Sequence, residues 1–212
     1  MTLSSTPLRT RDFLKLLAAV PAAAALAACS KSGQGPAQPQ QAFNAVDLTG
    51  ADYAKDFSLP DAEGKQRSLA DFKGKVVALF FGYTQCPDVC PTTMAELAEI
   101  KHQLGADADR LQVVFITVDP ERDTPQVLSA YMANFDPAFV ALRPTPEQLT
   151  ATARDFKVYY KKVDGTKPGS YTMDHSAATY LYDPQGRLRL YSRYGGGAQP
   201  LLSDIKGLLQ GA

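Results

Sequence analysis

The sequence predicts an α/β fold in which a central β-sheet is flanked by helices. Residues 76–81 form a continuous apolar run, typical of a strand buried on both faces of a sheet, and the mainly apolar run at residues 111–118 predicts a second buried strand. Segments with helical spacing follow each run, and a turn between two strand-like segments precedes a last helical stripe. Strands that alternate with helices in this way favour a sheet covered on both faces.

The predicted elements follow one another in a simple order. A short hairpin at residues 57–72 leads into the first buried strand, and the helices at 125–135 and 146–156 each begin with a Thr-Pro pair, in which Thr124 and Thr145 are the expected caps. The remaining predictions are a helix after the first strand, strands at 158–163, 177–182 and 188–194, a Gly/Pro-rich loop at 164–170, a turn at 183–186 and a helix at 201–209. This order fits a thioredoxin-like architecture, although the pattern alone leaves several α/β folds open.

Composition limits the class of protein. A hydrophobic share of 45% and a charged share of 21% are typical of globular domains. The formal net charge is +0, and no dense basic run lies outside the N-terminus. Because nucleic-acid binding needs a basic face, we expect no nucleic-acid partner.

Residues 1–28 have the pattern of a secretory signal peptide. Basic residues precede an apolar run, 16–28, that is shorter than the ~20 residues of a membrane span. The run ends in Leu-Ala-Ala-Cys, which resembles a bacterial lipobox, so we expect Cys29 to receive lipid and to become the new N-terminus. The alternative is an ordinary signal peptide with a cysteine there by chance. Thr10 stands where a twin-arginine motif has its first arginine, which leaves the export route open.

Residues 29–50 are predicted to form the lipidated N-terminus and a flexible tether, and residues 51–212 the folded domain. Residues 30–41 are mainly Gly, Pro, Gln, Ser and Ala, which cannot bury a core. Loss of residues 1–28 would leave a net charge of about −2, because three of 22 basic and one of 22 acidic side chains are removed. Lipid and not charge would then hold the protein to the membrane. We expect the domain to lie on the periplasmic side of a bacterial membrane.

Two cysteines, Cys86 and Cys90, lie between the first buried strand and its helix. If the segment forms a helical turn, positions i and i+4 share a face with Cβ atoms ~5–6 Å apart. Both sulfurs can then bind one metal ion or form a redox-active disulfide, and a helix N-terminus favours the thiolate that either role needs. The alternative is a structural disulfide, which exported proteins often carry.

His175 is one of two histidines and is predicted to lie at the end of a loop, just before a strand. An imidazole added to two thiolates gives a three-coordinate site that suits Cu(I) and can accommodate Cu(II). A histidine without a special role is the alternative. His102 is expected to face solvent on the helix after the cysteines.

Four stretches resemble the Sco/SenC family and occur in the expected order. They are FGYTQCPDVCP at residues 81–91, TVDPERDTP at 117–125, Asp-His-Ser at 174–176 and LYDPQG at 181–186. The likeness extends from about Phe57 to the C-terminus, and Gln85 replaces a histidine that many members have.

The resemblance implies a thioredoxin-like fold and copper bound by Cys86, Cys90 and His175. It also implies a role in maturing the binuclear copper centre of cytochrome c oxidase, either as a copper chaperone or as a thiol reductant of its cysteines. The implied partners are the copper-binding subunit of the oxidase and a copper donor protein.

Asp119 and Asp123 follow the second buried strand. Asp119 is expected either as a turn residue or as a group that lies near the metal ligands or contacts a partner. Asp123 is expected either as a helix cap or in a position near the metal ligands or a partner. Tyr159, Tyr160 and Tyr171 are expected to pack or to line the rim of the site.

Three functions compete at this point. Copper transfer without enzymatic turnover is the leading hypothesis, and a thiol–disulfide oxidoreductase on the same fold is the second. The C-x-x-x-C spacing differs from the C-x-x-C of thioredoxins, which argues against the second. A peroxidase is the third, but peroxiredoxin-like proteins have T-x-x-C, one residue longer than Thr84-Gln85-Cys86.

Replacement of Cys29 tests the predicted anchor. Cys29→Ser should release the protein from membranes or leave its precursor uncut, because serine cannot form the thioether. Fractionation and intact mass of the variant provide the measurement. A variant with the mass and membrane partition of the wild type would show that Cys29 carries no lipid.

Overall fold

A six-stranded mixed sheet organises residues 43–212, the part of the chain that the computed structural model describes. The strands are β1 (Val46–Asp47), β2 (Leu59–Pro60), β3 (Gln66–Arg67), β4 (Val76–Gly82), β5 (Leu111–Thr117), β6 (Val140–Leu142), β7 (Tyr160–Asp164), β8 (Tyr171–His175), β9 (Ala178–Tyr182) and β10 (Leu188–Arg193). The helices are α1 (Val89–Gln103), α2 (Pro125–Ala133), α3 (Pro146–Asp155) and α4 (Ala198–Leu209).

The two apolar runs form the centre of the sheet. All residues of β4 and β5 are buried, and the strands pair in parallel from Val76 opposite Leu111 to Gly82 opposite Thr117. The strand order is β1-β10-β9-β4-β5-β6, with β6 parallel to β5 and with β9, β10 and β1 joined by antiparallel pairs. The strands β2 and β3 form one separate hairpin, and β7 and β8 form another.

Helices cover both faces of this sheet. The Phe80 ring lies 6.3 Å from that of Phe115, which in turn packs on Tyr131 of α2. Phe81 packs on Phe156, directly after α3. Because successive side chains of a strand point to opposite faces, the two groups lie on opposite sides of the sheet. The predicted α/β sheet flanked by helices is confirmed.

The folded domain begins before residue 51, so the predicted end of the tether is wrong. Val46 pairs with Tyr191 of β10, and the backbone N–H groups of Asn44 and Ala45 donate to the buried Asp204 carboxylate at 2.9 and 2.8 Å. These contacts tie the first described residues to the sheet and to α4. The predicted signal peptide, Cys29 and the rest of the tether lie outside the described residues.

Helix caps follow the sequence prediction, and the strand predicted at 158–163 corresponds to β7, but β8 was not predicted. Thr124 accepts a hydrogen bond from the Val127 N–H, and Thr145 accepts one from the Gln148 N–H. The segment predicted as a loop before residue 177 contains β8, which pairs with β7 along its whole length. No helix within residues 43–212 has both the length and the apolar character needed to cross a membrane.

Candidate metal centre

The cysteine turn, residues 83–88, joins β4 to α1. Cys86 lies in this turn ahead of the helix, and Cys90 lies in the first turn of α1. The Cys90 backbone N–H points to the Cys86 Sγ at 3.4 Å. Cys86 therefore precedes the helix, and the shared helical face that the i, i+4 spacing would give in a helical turn does not form. Its sulfur occupies the N-terminal end of α1, where free N–H groups and the helix dipole favour a thiolate.

The two cysteines differ in burial and in acidity. A hydrogen bond from Cys90 lowers the pKa of Cys86 to about 4, helped by the backbone N–H groups of Asp88 and Cys90. The same interaction raises the pKa of the Cys90 thiol, and complete burial of Cys90 raises it further. Both cysteines are free. The pair thus presents one partly exposed thiolate with a buried thiol behind it.

The β7–β8 hairpin brings His175 to the sulfurs. His175 ends β8, and its Nε2 lies 3.4 Å from the Cys90 Sγ. Its Nδ1 lies 3.0 Å from the Ser176 carbonyl oxygen, to which only an N–H can donate. The bond assigns the proton to Nδ1 and leaves the Nε2 lone pair facing the sulfurs, as in most histidine metal ligands. The rings of Phe80 and Tyr83 pack edge-on against the imidazole.

The three predicted ligands meet at one point. The sulfurs of Cys86 and Cys90 and a ring nitrogen of His175 all lie within 4.8 Å of one another. A metal ion bound about 2.3 Å from each sulfur requires the two sulfurs to lie within about 4.6 Å of each other. The sulfurs would therefore need to move little or not at all to bind one ion. Two thiolates and one imidazole form a soft donor set that suits Cu(I), and one that zinc also accepts.

Gly82 is required by the close approach of three side chains, a role that the sequence analysis did not assign. A Cβ at this position would lie 2.9 Å from the Cys90 Sγ and 2.8 Å from the rings of Phe80 and Phe115. Real Cβ atoms essentially never approach other atoms so closely. Any side chain at residue 82 would therefore displace the Cys90 sulfur or distort the packing beneath it.

Asp123 fixes the start of the cysteine turn and does not cap α2, since Thr124 is the cap. Its buried carboxylate accepts hydrogen bonds from the Thr84 N–H at 3.2 Å, the Thr84 hydroxyl at 2.6 Å and the Thr117 hydroxyl at 2.5 Å. Burial raises the pKa of Asp123. Because Thr84 precedes Cys86 by two residues, Asp123 holds the turn from behind without touching either sulfur.

Asp119 also lies outside direct contact with the three predicted ligands. Its backbone carbonyl accepts the turn hydrogen bonds of Arg122 and Asp123, as expected of a turn residue. Its carboxylate accepts from the Tyr171 hydroxyl at 2.9 Å and from the Arg122 Nε. The side chain is only 4% exposed, so it is not presented to a partner at the surface. Arg122 was not singled out from sequence, although it lies within the 117–125 motif.

The other predicted positions are peripheral. His102 is exposed on α1, and Tyr159 is exposed beside Ser176. Tyr160 lines a mainly apolar cleft of about 550 Å³ beside β8, together with Met173 and Leu149.

The fold and the site define a thioredoxin-like domain that brings two cysteines and a histidine within reach of one metal ion. The family model of SCO1/SenC matches residues 46–210. The mitochondrial SCO2 homolog of Mus musculus is 37% identical over 153 residues, which are 71% of this chain and 60% of the mouse protein. This chain belongs to the SCO1/SenC family.

Solved structures agree with this assignment. The Bradyrhizobium japonicum ScoI structure with copper bound is 40% identical, with a TM-score of 0.65, and the match covers 72% of this chain and 97% of that one. The apo Sco1 of Thermus thermophilus is 35% identical, with a TM-score of 0.69, and the match covers 81% and 99%. The matched region includes the whole cysteine turn and His175, since the family model extends from residue 46 to residue 210.

The difference in acidity between the cysteines can be measured by alkylation. In the reduced, metal-free protein, iodoacetamide should modify Cys86 rapidly even at about pH 6, because its thiolate persists far below the ordinary pKa of ~8.5. Cys90 should stay unmodified, since it is buried and protonated. Mass spectrometry of alkylated peptides across a pH series reports both rates.

Two controls make this measurement specific. Cys90→Ala should raise the pKa of Cys86, because it removes the Cys90 hydrogen bond that is the main cause of the lowering. In denaturant both cysteines should react alike, with ordinary pKa values. A Cys86 rate that titrates near pH 8.5 in the folded protein would contradict the assignment.

Proposed function

We propose that this protein is a copper chaperone, which binds one copper ion through Cys86, Cys90 and His175 and delivers it to the binuclear copper centre of cytochrome c oxidase. The observation that carries this proposal is the convergence of two sulfurs and an oriented imidazole nitrogen on one point. Membership of the SCO1/SenC family and the copper-bound ScoI structure support the choice of metal.

The donor set can hold copper either as Cu(I) or as Cu(II). Thiolates are soft ligands that favour Cu(I), and the imidazole adds a nitrogen donor that Cu(II) accepts. The hydrogen bond from Nδ1 to the Ser176 carbonyl places a proton on Nδ1 and orients Nε2 toward the sulfurs. Copper is here the substrate of transfer, so no enzymatic turnover is proposed.

A second function rests on the asymmetry of the two cysteines. A partly exposed thiolate with a buried thiol behind it is the arrangement of an attacking and a resolving cysteine. Cys86 would attack a disulfide of the oxidase subunit, and Cys90 would then release the reduced subunit and leave a Cys86–Cys90 disulfide. This is the thiol–disulfide oxidoreductase alternative, and it does not require His175.

The proposed place of action is the periplasmic side of a bacterial membrane. The support for it is the N-terminal sequence, with its lipobox-like ending at Cys29. A copper donor protein would load the domain there, and the copper-binding subunit of the oxidase would receive the ion.

Copper loading should depend on the redox state of the cysteine pair. The reduced domain should bind one copper ion and release protons, because thiol ligands must deprotonate. The oxidised domain should bind copper poorly, since a Cys86–Cys90 disulfide has no thiolates. Metal analysis of desalted protein gives the copper stoichiometry. Equal copper loading of the reduced and oxidised forms would exclude the two sulfurs as ligands.

Replacement of His175 separates the chaperone from the reductase. His175→Ala should lower copper affinity by ~10–100-fold or more, as loss of even an outer partner can do, and should leave formation and reduction of the Cys86–Cys90 bond nearly unchanged. Chelator competition measures the affinity, and thiol–disulfide exchange with glutathione measures the redox chemistry.

The matched control is His102→Ala, which removes the exposed histidine of α1 and should change neither property. In cells, the chaperone proposal predicts that His175→Ala loses oxidase activity and that added copper partly restores it. A functional His175→Ala beside an inactive Cys86→Ser would support the reductase, and wild-type copper affinity in His175→Ala would exclude His175 as a ligand.

A further inference from the structure

The hairpin that carries His175 is not part of the six-stranded sheet. β7 and β8 pair only with each other within the described chain, and Ser176 and Ala177 join β8 to β9 of the main sheet. The other end of β8, at Tyr171, has no such link, so side-chain contacts hold it against the domain. Tyr171, Met173 and His175 lie on one face of β8, because side chains alternate along a strand. Tyr171 stands four residues from His175, about 13 Å along the strand. A contact that fixes Tyr171 therefore restrains the end of β8 opposite His175 and limits how far the strand can tilt away from the cysteine turn.

Arg122 makes that contact and also holds the cysteine turn. Its Nη1 donates to the Tyr171 carbonyl oxygen at 2.9 Å and to the Gln85 Oε1 at 3.2 Å, and its Nε donates to the Asp119 carboxylate. The guanidinium carbon lies 3.5 Å from the centre of the Tyr171 ring. One side chain thus joins Gln85, directly before Cys86, Asp119 in the segment after β5, and Tyr171, the first residue of β8.

We propose that Arg122 is a positioning residue for the metal site, which holds the His175 hairpin at the correct distance from the cysteine turn. The inference rests on the proposed copper-binding function and assigns no ligand role to Arg122. A guanidinium can do this because its donors are fixed in one plane and can serve three acceptors while the plane stacks on an aromatic ring. The single ammonium of a lysine cannot reproduce that geometry.

Lys162 provides a matched comparison. Its Nζ lies 3.7 Å from the centre of the same Tyr171 ring, and it forms an ion pair with Glu121 at 3.1 Å. That pair is 47% and 72% exposed, whereas the Arg122 side chain is 19% exposed. Exposed ion pairs contribute little, and Lys162 has no bond to the cysteine turn. Lys162→Ala should therefore leave the site unchanged.

The mechanism predicts a specific non-additivity. If Arg122 acts through His175, Arg122→Ala removes the benefit of the imidazole and has no further effect on copper affinity in a His175→Ala background. If it acted through Gln85 and the cysteines, the loss would persist in that background and thiol–disulfide exchange would change as well.

The test uses the mature protein and the variants Arg122→Ala, Arg122→Lys, Lys162→Ala, His175→Ala and Arg122→Ala with His175→Ala. Chelator competition should show an affinity loss of about 3- to 100-fold for both Arg122 variants and wild-type affinity for Lys162→Ala. The double variant should match His175→Ala alone. The Cu(II) spectra of both Arg122 variants should show a weaker signature of nitrogen coordination than the wild type.

A metal-free measurement keeps this proposal separate from copper binding itself. Amide hydrogen exchange of β8 should accelerate in Arg122→Ala and Arg122→Lys, while that of β4 and β5 should not change. A wild-type protein that binds no copper would overturn the proposed function, and this exchange measurement would still decide the role of Arg122.

Three results would overturn the proposal. The first is wild-type copper affinity with retained nitrogen coordination in Arg122→Lys. The second is a loss of copper affinity in the double variant that is larger than in His175→Ala alone. The third is unchanged amide hydrogen exchange of β8 in both Arg122 variants. Arg122→Lys keeps the charge and the stem, so it decides the outcome if Arg122→Ala does not fold.

Discussion

The parallel pairing of β4 with β5 determines where the chemistry of this domain can occur. Gly82 stands opposite Thr117, and the Val118 N–H continues the pairing by donating to the Gly82 carbonyl at 2.8 Å. Both strands therefore end at the same edge of the sheet, and the segments that follow them emerge side by side. One of these segments carries Cys86 and the other carries Asp123, whose buried carboxylate joins the two.

This arrangement leaves the cysteine turn tightly held and the third donor distant in sequence. His175 comes from a hairpin 85 residues after Cys90, and its imidazole meets the sulfurs only in the folded chain. A metal ion bound there would favour the folded state, because the unfolded chain has no preformed site. The three donors therefore come together only when this hairpin packs against the cysteine turn.

Much of the fold could be predicted because its signals are local. The buried runs of β4 and β5 are continuous, and Thr124 and Thr145 each stand before a proline. β8 was missed because it has only five residues, of which Met173 alone is buried, and because a Gly/Pro-rich segment precedes it. A short strand of this kind is identified by its partner and not by its own sequence.

The three donor residues of the candidate site could be predicted from the sequence, but the residues that hold them in place could not. The spacing of the cysteines and the family resemblance pointed to the three residues that the structure brings together. The position of Cys86 outside the helix depends on the turn at residues 83–88, and the contacts of Arg122 join segments up to 49 residues apart. Spacing along the chain carries no information about such contacts.

The unequal exposure of the two sulfurs fixes an order of events for any bound metal ion. A donor group approaching from solvent reaches the side of Cys86, since Cys90 is fully buried. The Cys90 sulfur, enclosed by Gly82, Phe80 and Phe115, would be the last to let go, so the ion would leave through one side of the site only.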